Sequence, residues 1–213
     1  MIVLALDTCL SACSVAVTDG ERVLASASEP MDRGHQERLA PLVRETMAAA
    51  GLRFAELERV GVTVGPGSFT GLRVGLAFAK GLGLALDKPV VGIGALHALA
   101  LSAADEGFVA AAVDARREQL YLQVFADGRP LMAPDALTAG DAAARLAELY
   151  AGGPAVLAGS GAPLLAGVLA AARTSERTAP DPVVLARLAA AAPTPAAPPR
   201  PLYLRAPDAK LPA

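Results

Sequence analysis

A glycine-rich segment between a predicted strand and a predicted helix is the part of the sequence best suited to bind a ligand. It runs Gly65-Pro-Gly-Ser-Phe-Thr-Gly-Leu-Arg-Val-Gly75 and follows the apolar stretch 60–64. Its glycines permit backbone angles that a side chain forbids, and Ser68 or Thr70 can cap the helix that follows. The sequence therefore predicts a site where a phosphate or a partner chain could approach a helix N-terminus.

The spacing in this segment departs from the two common phosphate-binding patterns. A P-loop has four residues between its glycines and then Lys with Ser or Thr, whereas only three residues separate Gly67 from Gly71 and Leu-Arg follow. A dinucleotide fingerprint needs its third glycine one place earlier, and Pro66 lacks a backbone donor. A tight strand-to-helix turn without any ligand explains the segment equally well.

Two aspartates end predicted apolar strands at corresponding places in the two halves of the chain. They are Asp7, after the first strand, and Asp114, after the strand that opens the second half. Two carboxylates that face one cleft could carry acid–base or metal chemistry. Alternatively, each aspartate caps its own turn through local hydrogen bonds, which is the interpretation we favour.

Histidines and cysteines do not predict a metal centre. His35 and His97 are far apart in the sequence, and a ligand set with one histidine binds a transition metal poorly. We expect His35 at the start of a helix and His97 on a helix surface or partly buried. Cys9 and Cys13 are the only cysteines, too few for a zinc site, and are predicted to be small buried residues.

Hydrophobic periodicity and turn residues predict an α/β chain built from two similar halves. Both halves have an Asp-Gly hairpin signal, at Asp19-Gly20 and Asp127-Gly128, and Gly159-Ser-Gly161 repeats the glycine loop in reduced form. Pro41 is expected in the first turn of its helix. The predicted order is strands 2–7, 13–18 and 22–28, helix 39–50, strand 60–64, helix 72–86, strand 89–93 and helix 96–104, then strands 108–114 and 119–125, helix 141–150, strand 155–158 and helices 164–172 and 183–192.

This ordered series indicates an internal duplication of a β-β-β-α-β-α unit, with a cleft between the two lobes. The predicted boundaries are 1–103 for the N-terminal, partner-binding lobe, 104–192 for the C-terminal lobe and 193–213 for a proline-rich tail. Such a tail is extended or loosely ordered, and within it residues 202–204 could form a short docked segment.

Composition limits the function classes. The net charge of −2 argues against a free-standing nucleic-acid binder, which usually carries a basic excess. No apolar run reaches the roughly 20 residues of a membrane span, and the N-terminus has no basic segment typical of a signal peptide. We therefore expect a cytoplasmic protein.

Six segments match one known family in order along the chain: Asp7-Thr8, Cys13-Ser-Val-Ala-Val17, His35-x-x-x-Leu39-x-Pro41-Leu42, the glycine loop through Arg73, Asp114-Ala-Arg116 and Pro201-Leu-Tyr-Leu-Arg205. In these segments the chain resembles the bacterial TsaB family, also called YeaZ. The resemblance implies a duplicated actin-like, Hsp70-like (ASKHA) fold. It also implies a non-catalytic scaffold that pairs with a catalytic TsaD-like subunit and a TsaE-like ATPase, forms a homodimer when alone and meets tRNA only through the complex. That complex installs threonylcarbamoyl on adenosine 37 of tRNAs that read codons starting with A.

The resemblance also bears on catalysis. The catalytic relative builds a metal site on H-x-x-x-H, but Leu39 stands where the second histidine would be after His35. We therefore expect no metal, no catalytic residue and no enzyme activity of the chain alone. In actin-like ATPases an aspartate after the first strand helps to hold the metal of the nucleotide. The sequence leaves undecided whether a vestigial nucleotide site still binds ATP or ADP with magnesium weakly. The residues of such a site would be Asp7, Thr8, Gly65, Gly67, Ser68 and Asp114.

Small residues recur every four positions in the helix after the glycine loop, which predicts close approach of another element. That element could be the sheet below or another subunit, and the sequence does not separate the two. Our hypothesis is a four-helix interface, shared by homodimer and heterodimer. Its predicted residues are Leu39, Leu42, Val43 and Met47 on one helix and Gly71, Leu72, Gly75, Leu76, Ala79 and Gly83 on the other.

The alternatives are an ATP-dependent small-molecule kinase or a metallopeptidase of the same fold, and a stand-alone RNA-binding module. A kinase would need a second phosphate loop, and Gly159-Ser-Gly161 is minimal. A metallopeptidase would need the missing histidine, and the net charge disfavours the RNA-binding module.

Overall fold

The computed structural model describes residues 1–104 and 106–205, which form two β-sheets with helices packed against them. The first half contains β1 (Ile2–Asp7), β2 (Ala12–Asp19), β3 (Arg22–Pro30), α1 (His35–Ala49), β4 (Arg59–Thr63), α2 (Phe69–Leu86), β5 (Val90–Ile93) and α3 (Ala95–Ala103). The second half contains β6 (Phe108–Arg116), β7 (Gln119–Ala126), β8 (Arg129–Pro130), β9 (Asp135–Thr138), α4 (Ala139–Leu149), β10 (Ala155–Ala158), β11 (Ala172–Thr174) and α5 (Pro182–Ala191).

The two sheets have the same topology. The first has the strand order β3-β2-β1-β4-β5, and the second has β8-β7-β6-β10-β11, with β9 also paired to β7. In each sheet the hairpin strands are antiparallel, and the two strands reached through helices or turns are parallel to the central strand. The predicted duplication of an α/β unit is therefore confirmed, because every strand of one sheet has a counterpart in the other.

Alternation along the central strands sets which helix covers which face. In β1, Leu4 and Leu6 share a core with α1 and α2, whereas Val3 and Ala5 pack against α5. This is the period of two that a strand imposes on its side chains. The central strand of the first sheet is therefore covered on both faces, which is why it is a continuous apolar run before Asp7.

The helix that ends each half packs on the sheet of the other half. Helix α3 contacts β6, β7 and β10, and α5 contacts β1, β2 and β4. We predicted that helix 183–192 would close the second lobe, and this is wrong, because its apolar face fills the open face of the first sheet. The predicted boundary at 103/104 therefore separates the two halves of the sequence. It does not separate the two packed sheets, because α3 and α5 each pack on the sheet of the other half.

Arg59 fastens the end of α5 to the first sheet. Its Nη1 donates to the carbonyl oxygens of Ala189 at 2.7 Å and Ala192 at 2.6 Å, and its Nη2 donates to Thr194 Oγ1 at 2.9 Å. The last carbonyls of a helix have no partner within the helix, so a buried guanidinium there satisfies several acceptors at once.

Two local predictions need correction. A helix was predicted over 164–172, but the structure has a short 3₁₀ turn (Ala162–Leu165), and then β11, because Gly167 adopts a left-handed φ of 83° that ends the turn. Pro41 was expected in the first turn of its helix, but α1 begins at His35 and Pro41 lies inside it. Proline is tolerated there at the cost of one backbone hydrogen bond.

The small residues of α2 face the chain itself. A Cβ on Gly71 would lie 1.9 Å from the Thr8 carbonyl oxygen, one on Gly75 would lie 2.5 Å from Thr8 Oγ1, and one on Gly83 would lie 2.3 Å from Val90 Cγ2. The open question about this stripe is thereby answered, since the turn after β1 and strand β5 make the close approach. Glycines inside a helix cost up to about 1 kcal/mol each relative to alanine, and packing within the chain offsets that cost.

Helix α2 is long and apolar enough to span a membrane by length and composition, among the residues that the structure describes. The core helix of a soluble protein meets the same criteria, so this finding is weak evidence for a membrane segment. About a third of the helix is buried. The remainder includes an apolar outer face.

Two glycines of α2 provide a matched pair for testing this packing. We expect Gly75→Ala to lower the free energy of unfolding by about 1–3 kcal/mol, because the new methyl group would overlap Thr8. Gly81 has no atom within 4 Å of its Cβ position, so Gly81→Ala should raise stability by up to about 1 kcal/mol. Urea denaturation measures both. Equal effects of the two substitutions would contradict the inward orientation of the stripe.

Candidate functional site

A cleft of about 860 Å³ lies between the lobes, where the glycine loop faces the end of β6. Its walls include Cys9 and Ser11 of the turn after β1, Ser68 at the start of α2, and Arg116 of the second lobe. Ligands of α/β proteins commonly bind beyond strand ends in such clefts. This cleft is the candidate functional site.

The six residues predicted for vestigial nucleotide binding divide into two groups. Gly67, Ser68 and Asp114 line the cleft. By contrast, Asp7 and Thr8 are 0% and 1% exposed and lie behind the cleft wall, and Gly65 is covered by the tail. The structure brings together only the first three at a surface that a ligand can reach.

The Asp7 carboxylate is used inside the chain. Its Oδ1 accepts hydrogen bonds from Thr63 Oγ1 at 2.5 Å and from the Cys9 backbone N–H at 3.0 Å. Its Oδ2 has no protein partner among the described residues. Burial raises the pKa of Asp7, and the hydrogen bond from Thr63 opposes that rise.

Asp114 makes the same local turn bond but is exposed. Its Oδ1 accepts from the Arg116 backbone N–H at 2.8 Å, two residues ahead, as Asp7 accepts from Cys9. Its own N–H donates to Ser160 Oγ at 3.1 Å. Both aspartates therefore cap turns, as the alternative interpretation predicted. The hypothesis of two carboxylates facing one cleft is wrong, because Asp7 is sealed from it.

Donors and acceptors of the glycine loop are engaged within the first lobe. The Ser68 N–H donates to the Cys9 carbonyl at 2.7 Å, and Thr8 Oγ1 donates to the Gly71 carbonyl at 2.7 Å. Ser68, not Thr70, caps α2, with its Oγ accepting from the Gly71 N–H at 3.3 Å. The backbone that would cradle a phosphate in a nucleotide-binding loop is thus turned toward the chain's own β1–β2 turn.

The smaller glycine turn of the second lobe packs in the same manner. The Gly161 N–H donates to the Ala112 carbonyl at 2.9 Å, and a Cβ on Gly159 would lie 2.2 Å from the same oxygen. Gly159 adopts a φ of +101°, which favours glycine. Close contact with the central strand therefore accounts for both glycines.

The histidines and cysteines occupy the predicted environments. His35 is the first residue of α1, and His97 is partly buried and stacked on Phe125 with ring centroids 5.3 Å apart. Burial lowers the pKa of His97. Both cysteines are buried free thiols, and burial raises the pKa of Cys13 to about 11. Within 1–104 and 106–205, no group of three or more His, Cys, Asp and Glu is placed to hold a metal ion.

The residues predicted to bind a partner all lie in the core of this chain. They are Leu39, Leu42, Val43 and Met47 of α1, and Gly71, Leu72, Gly75, Leu76, Ala79 and Gly83 of α2. These side chains face the first sheet and its turns, so they do not form the outer surface of the two helices. An Arg or Trp side chain at Gly75 or Ala79 would therefore disrupt the fold of this chain rather than only block association.

Sequence reasoning missed the outer face of α2. Arg73, Ala77, Gly81 and Leu84 recur at helical spacing on it, and Leu84 is 86% exposed. Phe69 begins the helix on the same side and is 48% exposed. A second stripe of small and apolar residues, offset from the glycine stripe, was the signal that could have revealed this face.

The predicted docked segment of the tail is confirmed. The Leu202 N–H donates to the Val64 carbonyl at 2.7 Å, and the ring of Tyr203 packs beside Phe69 with centroids 5.6 Å apart. The tail therefore contributes to the cleft wall.

Comparison with known proteins places the chain in a family. A family model described as TsaD, tRNA N6-adenosine threonylcarbamoyltransferase, matches residues 23–179. The solved structure of YeaZ from Pseudomonas aeruginosa has a TM-score of 0.77 and 30% identity, covering 89% of this chain and 90% of that one. This chain belongs to the TsaD family, in its TsaB/YeaZ group. The duplicated actin-like, Hsp70-like (ASKHA) fold expected from the resemblance is confirmed.

Other relatives of the TsaB/YeaZ chain are similar over different lengths. An uncharacterised Mycobacterium tuberculosis protein is 38% identical over 215 residues, covering 98% of this chain and 93% of that protein. The Escherichia coli tRNA threonylcarbamoyladenosine biosynthesis protein TsaB is 36% identical over 124 residues, covering 57% of this chain and 53% of that protein.

Asp7→Asn tests whether the buried carboxylate is a structural residue. Its pKa is raised in the folded state, so the folded chain binds more protons than the unfolded chain between the ordinary aspartate value and the raised one. Stability contributed by this group is therefore lost as pH rises through that window. We expect Asp7→Asn to flatten this fall in the free energy of unfolding, measured by urea denaturation from about pH 4 to about pH 8.

Asp114→Asn is the matched control, because it alters an exposed carboxylate that makes the same turn bond. It should change the pH profile less than Asp7→Asn does. Indistinguishable profiles for wild type and Asp7→Asn would contradict the assigned role of burial at Asp7.

Proposed function

We propose that this chain is a non-catalytic scaffold subunit of the complex that makes threonylcarbamoyladenosine at position 37 of tRNA. Membership of the TsaD family, with relatives described as threonylcarbamoyladenosine biosynthesis proteins, supports a part in this modification. The observation that carries the non-catalytic role is the burial of Asp7, whose carboxylate serves the fold rather than the cleft.

The proposal follows from how the first lobe uses its polar groups. A catalytic or nucleotide-gripping aspartate must reach substrate or metal, and Asp7 is behind the wall formed by the turn after β1. Two backbone groups of the glycine loop, the Ser68 N–H and the Gly71 carbonyl, are paired with that same turn. A chain arranged in this way keeps the shape of an ATPase-like protein while lacking a reactive first lobe.

The outer face of α2 is the surface we propose for the TsaD-like subunit. Ala77 and Gly81 are small and exposed, which lets another helix come close, and Leu84 supplies an apolar side chain that a partner can bury. The TsaD family model matches both lobes of this chain, so a TsaD-type partner has an equivalent pair of helices to offer. Two equivalent helix pairs can form a pseudo-symmetric four-helix interface, and a homodimer in the absence of the partner.

Helix α1 flanks this surface and is held rigidly. Arg38 forms two hydrogen bonds with Glu29 of β3, at 2.6 and 2.7 Å, and two with Glu45 of α1, at 2.7 and 2.9 Å. Planar guanidinium–carboxylate pairs of this kind fix geometry as well as charge. Arg38 therefore fixes α1 against β3, and a helix already fixed in the free chain loses less entropy on association.

We further propose that tRNA and a TsaE-like ATPase are met only through the complex. The net charge of −2 gives the chain no basic excess for binding RNA alone. Catalysis then belongs to the TsaD-like partner, and this chain supplies the surface on which that partner is held.

Leu84→Glu tests the interface. A buried charge in an apolar contact is unfavourable, and loss of a central interface residue costs about 2 kcal/mol or more, or roughly thirtyfold in affinity. We expect the variant to lose binding to the TsaD-like subunit in calorimetry. We also expect threonylcarbamoyladenosine formation by the reconstituted complex to fall in parallel.

Leu164→Glu is the matched control, since Leu164 is 60% exposed in the 3₁₀ turn of the second lobe, which packs on α4, β6 and β10. It should bind and support modification as wild type does. If Leu84→Glu folds, binds the partner normally and sustains modification, the proposed interface is wrong.

Titration of the purified chain with ATP and magnesium tests the scaffold role against an ATP-dependent kinase. We propose no resident cofactor, and expect dissociation constants of about 1 mM or weaker, because the Ser68 N–H and the Gly71 carbonyl already pair with the turn after β1 and Asp7 is buried. Micromolar binding, or ATP hydrolysis by the chain alone, would favour the kinase instead.

A further inference from the structure

The tail crosses the mouth of the cleft and contacts both lobes. On the first lobe, the Leu202 N–H donates to the Val64 carbonyl at 2.7 Å. On the second lobe, Arg205 Nη1 donates to the Ala115 carbonyl at 2.9 Å. Residues 202–205 also line the cleft, so this segment, which we call the strap, bridges the opening.

An aromatic and cationic cluster anchors the middle of the strap to α2. The Tyr203 hydroxyl accepts a hydrogen bond from Arg73 Nε at 3.1 Å, and the Tyr203 and Phe69 rings are 5.6 Å apart. The Arg73 guanidinium lies 3.7 Å from the centroid of the Phe69 ring. Stacking of this kind adds cation–π attraction to a surface hydrogen bond. The strap is therefore held by side chains as well as backbone.

The glycine loop is shaped to receive the strap. A Cβ on Gly65 would lie 2.9 Å from the Leu202 carbonyl oxygen, and Gly65 adopts a φ of +101° that favours glycine. A glycine that the sequence suggested for phosphate contact is thus in contact with the chain's own tail. The strap occupies the approach to the glycine loop from this side.

A second connection, which we call the tie, is formed by hydrogen bonds of residues 177 and 178 with both lobes. Ser11 Oγ, in the turn after β1, donates to Thr178 Oγ1 at 2.7 Å, and the neighbouring Arg177 carbonyl accepts from the Gly159 N–H of the second lobe. The strap and this tie are formed by different segments, both of which line the cleft. Together they connect the lobes through contacts outside the shared core.

We propose that the strap is a clasp, which fixes the opening between the two lobes and must detach before the cleft can widen. It couples the cleft to the N-terminal end of α2 through Phe69 and Arg73. Opening the cleft then loosens segments in both lobes, not the tail alone. This inference does not depend on the proposed scaffold role.

Amide hydrogen exchange on the full-length chain tests the strap, using Tyr203→Ala, Arg205→Ala and the double variant. We expect roughly five- to tenfold faster exchange in residues 64–68 of the first lobe and in residues 114–118 of the second, the size expected from losing one hydrogen bond. Strand β1 and residues 108–113 of β6 should keep their protection, because the anchoring side chains lie outside the core.

Arg145→Ala is the control, since Arg145 pairs with Glu148 on the exposed side of α4. It should leave exchange in both cleft segments unchanged. Faster exchange confined to residues 202–205 would overturn the proposal, because the tail would then be docked without holding the lobes. Loss of protection throughout β1 and β6 would also overturn it, since the tail would then be part of the core.

Discussion

The contact between the turn after β1 and the glycine face of α2 is the constraint on which the first lobe depends. Thr8 Oγ1 donates to the Gly71 carbonyl, and the Cys9 carbonyl accepts from Ser68, so turn and helix are joined by hydrogen bonds as well as by close packing. The same contact closes Asp7 behind it. Glycines that resemble a ligand-binding loop are needed here because only a backbone without side chains lets the helix come this near.

That contact also decides which face of α2 remains available. The glycine stripe packs against other parts of the same chain. The opposite stripe, which includes Ala77 and Leu84, is therefore exposed to solvent and available to another protein. The N-terminal end of this face carries Phe69 and Arg73, which hold the tail. One helix thus joins three regions of the molecule: the buried turn, the cleft mouth and the proposed partner surface.

The sequence predicted what local patterns control. Alternation and Asp-Gly turns located β1 to β7 and β10 but not the short strands β8, β9 and β11, and the repeated order indicated the duplication, because periodicity and turn geometry are local properties. Features set by distant contacts were not predictable in this way. The orientation of the Gly75 stripe depends on Thr8, the burial of Asp7 depends on Thr63 of another strand, and the position of α5 depends on the open face of the first sheet.

The two halves show how one turn acquires two different environments. Asp7 and Asp114 make the same hydrogen bond to an N–H two residues ahead, yet one is buried and the other exposed. The segments after the two glycine turns also differ: through Gly71 and Gly75, α2 packs on the turn that closes over Asp7, whereas the second lobe has only the short 3₁₀ turn Ala162–Leu165 at that place. A long helix therefore both seals the first lobe and creates an outer face, while the shorter turn leaves Asp114 and Ser160 on the cleft. The two lobes thus share the same strand order and the same aspartate turn. The presence of the long helix α2 in the first lobe makes this turn a packing surface, whereas the short turn of the second lobe leaves it polar and exposed.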